Sequence, residues 1–269
     1  MSDFRPRLIA SDMDGTLLRA DDTVSDGTVA ELARWQAEGV PVVLATGRPP
    51  RWMRRIREVL CTGTAVCCNG AVLLDLERFE VVDEVPLEPP LLRDLTAALR
   101  TRLPDVWFAV EYGLEFRHEP VYRPRWDVAA PGVAEATLEE LVTAPVAKLL
   151  ARSEATPRDA FVDAVEAVVG DRATVTHSSA DALAEISARG VTKASGLAAV
   201  AAGHGVEPAD VVVFGDMPND IAAFDWVREA GGRAVAMANA HPDLLAAATD
   251  VTLSNEEDGV AAFLAALQP

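Results

Sequence analysis

Short apolar runs alternate with amphipathic stretches toward both ends of the chain. Residues 7–11 (Arg-Leu-Ile-Ala-Ser) form the first such run, and residues 40–45 and 64–68 repeat the pattern. Short runs with consecutive apolar residues at their centre read as strands covered on both faces, as in a parallel sheet. Between the first two, Ser25 is placed to cap a helix whose apolar positions Val29, Leu32, Ala33 and Trp35 recur near helical spacing before Gly39. Pro49 and Pro50 suit the opening of another helix. Helix followed by strand returns at residues 192–204 and 210–214, and a helical stretch at 242–248 separates expected strands at 233–236 and 250–253. This order predicts an α/β fold built on a parallel sheet.

From about residue 77 to 189 the texture changes. The alternation predicts hairpins pairing residues 71–76 with 79–85 and 106–111 with 114–118, together with helices over 91–102 and 157–169. Prolines 86, 89, 90, 120, 124 and 131 punctuate the segment. An α+β insertion into the parallel-sheet core accounts for this change most simply.

The chain has 269 residues, half of them apolar, so it can bury a sizeable core and is neither disordered nor collagen-like. Its 42 acidic side chains against 24 basic ones give a formal charge of −18. Such an excess argues against nucleic acid and anionic membrane surfaces, which reward clustered Lys and Arg. No apolar run approaches a membrane span and the first ten residues lack a signal-peptide core, so a soluble cytoplasmic protein is expected. Cys61, Cys67 and Cys68 have no metal-type spacing and form no disulfide framework; the last two read as core residues. The basic residues comprise 22 Arg and only two Lys, Lys148 and Lys193.

Candidate chemistry gathers where strands end. Asp12-Met13-Asp14-Gly15-Thr16 follows the first strand, where an open parallel sheet binds its ligands. Two carboxylates at i and i+2 suit a nucleophile with a neighbouring acid or base, or a hard-metal site; a solvated turn remains the plain alternative. Gly215-Asp216-Met217-Pro218-Asn219-Asp220 follows the strand at 210–214 in the same way. If the two strands are neighbours, their carboxylates converge on an oxygen-ligand cluster. Ala45-Thr46-Gly47-Arg48 offers a hydroxyl and backbone amides to a phosphate. Lys193 opens a helix as a compact point charge in a chain that otherwise prefers guanidinium groups.

The order Asp-x-Asp-Gly-Thr, Thr-Gly-Arg, Lys, Gly-Asp-x-x-Asn-Asp closely resembles the haloacid dehalogenase superfamily. The long insertion between Thr46 and Lys193, with the tail motifs at 238–242 (Ala-Asn-Ala-His-Pro) and 254–260 (Ser-Asn-Glu-Glu-Asp-Gly-Val), looks like its Cof-type sugar-phosphatase branch with a type C2 cap. Met217-Pro218 stands where Ser and a variable residue are common, and Ala194-Ser195 follows Lys193; neither departure removes a reacting group. The resemblance implies a Rossmann-like, doubly wound core over 1–78 and 190–269 and an inserted α/β cap over 79–189.

On that resemblance the protein is a Mg²⁺-dependent phosphatase of small phosphorylated metabolites, with sugar phosphates foremost. Asp12 is the nucleophile that forms an aspartyl-phosphate, and Asp14 is the general acid and then base. Mg²⁺ is held by the Asp12 carboxylate, the Asp14 backbone carbonyl and Asp216, with Asp220 orienting metal-bound water. Thr46, Gly47, Lys193 and Asn219 hold the phosphoryl oxygens, with Arg48 in support. Within the insertion, Glu111, Tyr112, His118, Trp126 and His177 are candidate sugar contacts, each with an ordinary packing or surface role as the competing reading. Arg48, Arg51, Arg54, Arg55 and Arg57 form a basic helical run that reads mainly as a solvated face. A monomer or homodimer is expected, with no nucleic-acid or membrane partner. Two rivals remain: a phosphomutase on the same scaffold, and a receiver-like phosphoacceptor module.

Overall fold

The computed structural model describes residues 4–57, 60, 63–122, 131–177 and 182–267. The chain divides into two units: residues 1–48, 52–82 and 192–269 form one, and 49–51 with 83–191 form the other.

The first unit begins with β1 (Leu8–Ser11), α1 (Asp26–Ala37), β2 (Val42–Ala45), α2 (Met53–Arg57), β3 (Thr64–Cys67), β4 (Val72–Asp75) and β5 (Glu80–Glu84). The second unit contributes α3 (Pro89–Arg102), β6 (Trp107–Tyr112), β7 (Glu115–His118), β8 (Val133–Glu135), α4 (Leu138–Leu141), β9 (Lys148–Arg152), α5 (Arg158–Val169), β10 (Ala173–Thr176) and β11 (Leu183–Ala188). The chain then returns to the first unit with α6 (Lys193–Gly203), β12 (Val211–Gly215), α7 (Ile221–Ala230), β13 (Arg233–Ala236), α8 (Pro242–Ala247), β14 (Asp250–Val251) and α9 (Gly259–Ala266).

The first unit's sheet runs β14-β13-β12-β1-β2-β3-β4-β5, parallel from β14 through β3. β1, β2 and β12 are buried at every position, as strands with both faces covered must be. Leu8, Val43, Val211 and Val213 pack with Leu197 and Val200 of α6 and with Phe224 and Val227 of α7. Helix ends follow local chemistry. Ser25 accepts the Thr28 amide at 3.0 Å to open α1, and Thr192 and Ser195 form a reciprocal capping box at the start of α6.

The second unit is a six-stranded sheet in the order β10-β11-β9-β6-β7-β8, with helices on one side. Phe108 and Val110 of β6 and Leu149 and Ala151 of β9 pack with Leu95 and Leu99 of α3 and Phe161 and Val165 of α5. The alternate positions, Glu111, Lys148, Leu150 and Arg152, belong to the opposite sheet face.

Several boundaries differ from the sequence expectation. β3 stops at Cys67, because Cys68 and Asn69 adopt positive φ (51° and 55°), which cannot continue an extended ladder. The prolines before α2 yield a short 3₁₀ turn at Pro50–Trp52 before one brief α-helical stretch. β14 ends at Val251. Pro157 caps α5 from outside, and Pro89 occupies the first position of α3. Cys67 and Cys68 are buried, whereas Cys61 and Trp126 lie outside the described residues. Among the described residues, no helix is long and apolar enough to cross a membrane.

Candidate active site

Register between neighbouring parallel strands builds the site. Ser11 of β1 pairs with Phe214 of β12 and Leu44 of β2, so Asp12, Asp216 and Thr46 all emerge at carboxyl-terminal strand ends. The Asp12 amide still donates to Phe214 O at 2.9 Å, holding the nucleophile candidate at the end of the ladder. The turn that follows is tight. The amides of Thr16, Leu17 and Leu18 all point to Met13 O, and Gly15 has φ +73°. A Cβ at Gly15 would lie 2.2 Å from Asp216 Oδ2, so close approach as well as φ demands glycine there.

Asp12, Asp216 and Asp220 bring one carboxylate oxygen each within 4.8 Å of one another, and all three side chains are buried. Lys193 stands among them. Its Nζ lies 2.7 Å from Asp12 Oδ1 and 2.6 Å from Asp220 Oδ1, with only 1% of the side chain exposed. The capping box at Thr192 fixes the first turn of α6 and therefore the point from which Lys193 extends. Asp220 is engaged at both oxygens, because Oδ2 also accepts the Asp216 and Met217 amides at 3.2 and 3.1 Å. Thr16 donates to Asp216 Oδ1 at 3.1 Å.

The electrostatics follow from this crowding. Burial pushes the Asp12 carboxyl well above the ordinary carboxylate range; the Lys193 charge opposes that shift and the Asp220 charge adds to it. Burial and then the Asp220 charge raise Asp216 to about 6. Burial alone would lower Lys193, but the Asp12 and Asp220 charges outweigh it and keep the ammonium protonated. Three carboxylates against one ammonium leave an uncompensated negative charge in a buried pocket of oxygen donors. A hard divalent cation fits that donor set, and Asp12 and Asp216 have the ligand capacity that Asp220 lacks.

The remaining candidates are placed around this centre. Thr46 is buried, and its Oγ1 accepts the Arg48 amide at 3.0 Å. Asn219 donates from Nδ2 to Asn69 Oδ1 at 3.1 Å, and a Cβ on Gly47 would lie 3.3 Å from the same oxygen. Asn69 thus links two phosphate candidates. Asn69 has no assigned role from sequence, although Asn-Gly directly after a strand is a turn signal. Arg48 lies beside Asp14: its Nε donates to Asp14 Oδ2 at 2.9 Å and its Nη2 to Asp22 Oδ1 at 2.8 Å. Asp14 keeps its carboxylate outside the acidic triad, with just over half its side chain exposed.

The matching family model, haloacid dehalogenase-like hydrolase, covers residues 9–264. The chain belongs to this family. A Bacillus subtilis (strain 168) relative, 5-amino-6-(5-phospho-D-ribitylamino)uracil phosphatase YitU, is 29% identical over 277 residues, covering 97% of each chain. Escherichia coli (strain K12) pyridoxal phosphate phosphatase YbhA is 26% identical over 272 residues, covering 96% of this chain and 97% of its own. Among solved structures, a haloacid dehalogenase-like hydrolase from Bacteroides thetaiotaomicron is 25% identical with a TM-score of 0.79, covering 98% of this chain and all of its own. As a member of the Cof-type branch, the haloacid dehalogenase-like chain is a phosphoric monoester hydrolase.

In the second unit, Glu111 and Arg51 form a buried ion pair, and Lys148 reaches Glu185 at 2.9 Å, also buried. Burial raises Glu111 above the usual carboxylate range despite the Arg51 charge. The expectation of a solvated arginine face holds for Arg54, Arg55 and Arg57, which are exposed, but not for Arg51, which is buried against Glu111 and over the Phe116 ring; Arg54 also stacks on Phe79. Tyr112 donates to Glu115 at 2.9 Å, His118 is buried with Nδ1 at 2.8 Å from Glu119 O, and His177 contacts Glu166 at 3.4 Å.

Proposed function

We propose that this haloacid dehalogenase-like hydrolase is a cytoplasmic Mg²⁺-dependent phosphatase of small phosphorylated metabolites, sugar phosphates foremost, working through an aspartyl-phosphate on Asp12. The observation that carries the reading is the Asp12–Lys193–Asp220 arrangement. A carboxylate at a strand end, buried and held by a single ammonium, is oriented for attack, and the Lys193 charge opposes the upward shift that burial imposes on it.

In the first step an Asp12 oxygen bonds to phosphorus as the bond from phosphorus to the leaving oxygen breaks. Asp14 gives that oxygen its proton. In the second step water attacks phosphorus, Asp14 takes a proton from it, and the acyl-phosphate bond breaks to return Asp12 and release inorganic phosphate. Thr46, the Gly47 amide and Asn219 hold phosphoryl oxygens, and Lys193 contributes positive charge beside them. Asp12, the Asp14 carbonyl and Asp216 would hold Mg²⁺, with Asp220 supporting Lys193 and the metal shell. When bound, the cation neutralises charge on the phosphoryl oxygens. Residues 1–78 and 190–269 serve as the catalytic core, and the insertion at 79–189 sets which ester is accepted.

YitU and YbhA are named for a ribitylaminouracil phosphate and pyridoxal phosphate, so phosphorylated sugar alcohols and a phosphorylated cofactor belong beside sugar phosphates in a screen. Phosphate released from a panel of such esters, with Mg²⁺ and after chelation, tests the proposal. Phosphate moved between positions of one sugar without release would favour a mutase, and a stable phospho-Asp12 without turnover would favour a phosphoacceptor module.

A further inference from the structure

The phosphatase reading leaves the two tail motifs, residues 238–242 and 254–260, without a task. Both converge on the loop that follows Asp14. Asn239 Nδ2 donates to Gly15 O at 2.8 Å, and Asn255 Nδ2 donates to Leu18 O at 2.8 Å. The Asn255 amide donates to Asn239 Oδ1 at 3.1 Å, so the two side chains act as one strut. The Ala20 amide donates to Glu256 Oε1 at 2.7 Å, and Arg19 pairs with Asp258 at 2.8 Å. The strut is itself fixed: Ser254 and Glu257 cap the 3₁₀ turn at Asn255–Glu257, which ends in Asp258 at φ +58°.

What the loop carries explains why its position matters. Leu18 forms a bridge with Asp14, tying the backbone of one to the other. Four residues beyond Leu18, Asp22 sits at φ +62° in a turn closed by the Asp22 amide on Arg19 O and the Arg19 amide on Thr23 O. Asp22 anchors Arg48 at 2.8 Å, and Arg48 grips Asp14 through two of its nitrogens. Exposed ion pairs hold little by themselves, so the direction of the Asp14 carboxylate depends on where the loop backbone is pinned.

We propose that Asn239 and Asn255 are positioning residues. They fix the 15–22 loop and, through the Leu18 bridge and the Asp22–Arg48 clamp, hold Asp14 where it can transfer its proton. This inference rests on the assignment of Asp14 as acid and base. Proton donation accelerates departure of a poor leaving group far more than that of a good one, which gives a readout that packing alone would not move.

The experiment compares Asn239→Asp, Asn255→Ala and Asp22→Asn with the wild type on an alkyl monophosphate and on p-nitrophenyl phosphate, with thermal midpoints measured alongside. The expected result is a kcat loss of about tenfold or more on the alkyl ester and under about threefold on the aryl ester, with KM nearly constant. Asp22→Asn keeps a residue type that tolerates positive φ, so it carries the test if an asparagine variant does not fold. Equal losses on both esters, losses confined to KM, or wild-type rates on both would overturn the inference. A wild type that releases phosphate from neither ester would instead overturn the phosphatase reading itself.

Discussion

Lys193 Nζ lies 2.7 Å from Asp12 Oδ1 and 2.6 Å from Asp220 Oδ1, so one buried ammonium joins the end of β1 to the turn after β12. With 1% of its side chain exposed, Lys193 has no water to replace these partners. Its removal leaves two buried carboxylates facing each other. Lys193→Met is expected to destabilise the metal-free protein by about 3–5 kcal/mol, the range for breaking one side of a buried pair. It is also expected to lower kcat/KM by roughly 10²–10³-fold, the scale of losing one preorganised electrostatic contact. Denaturant unfolding and steady-state kinetics check both. Lys193→Arg should not restore activity, because a planar guanidinium does not replace a point charge in a closed pocket.

Gly15 faces Asp216 so closely that a methyl group there would collide with its carboxylate. Gly15→Ala also places a side chain at φ +73°, a strain of about 1–3 kcal/mol. The expected outcome is weakened cation binding together with reduced stability, read by calorimetric Mg²⁺ titration and thermal unfolding.

Asp216, raised to about 6 by burial and by the Asp220 charge, gives the metal-free protein a defined acid response. Its folded value lies above the ordinary carboxylate value of 3.8, so folding favours the protonated form. The associated stability is complete below the ordinary value and is lost as pH rises through about 6. Asp12, shifted in the same direction, adds to the loss. The thermal midpoint of chelator-treated protein should therefore fall between pH 4 and pH 7. Divalent-cation affinity should change in the opposite sense, weakening roughly tenfold per pH unit for each displaced proton as pH drops below that value. Titrations at several pH values check the sign.

Asp14→Asn should leave the fold intact and slow turnover by about 10²–10⁴-fold on an alkyl ester, the scale of general acid–base catalysis. The variant also leaves Arg48 facing a neutral amide. Rates on alkyl and aryl esters, compared with circular dichroism of the variant, check this.

The residues of the site were more legible than their arrangement. Asp12 and Asp216 follow short, mostly apolar strands that are buried at every position, so their location at sheet ends could be read from pattern alone. Lys193 stood out because this chain has only two lysines, and both occupy buried ion pairs with acids. Arg48 was expected to assist phosphate binding, but its forked grip on Asp14 and Asp22 depends on a loop turn that no periodicity reveals. Asn69 and Thr16 were not assigned roles, because a side chain that bridges two loops leaves no local spacing signal. In the insertion, β9 and β11 were not foreseen. Lys148, Arg152 and Glu185 interrupt their apolar runs, and their partners lie on other strands far away in sequence.

The central claim is that Asp12 carries the phosphoryl group. Acid-quenching the protein during turnover of a radiolabelled phosphate ester with Mg²⁺, followed by peptide mapping, tests it most directly. The account predicts label on Asp12 in the wild type, with no label and no turnover in Asp12→Asn. Sustained phosphate release by Asp12→Asn, or label confined to another residue during wild-type turnover, would contradict it.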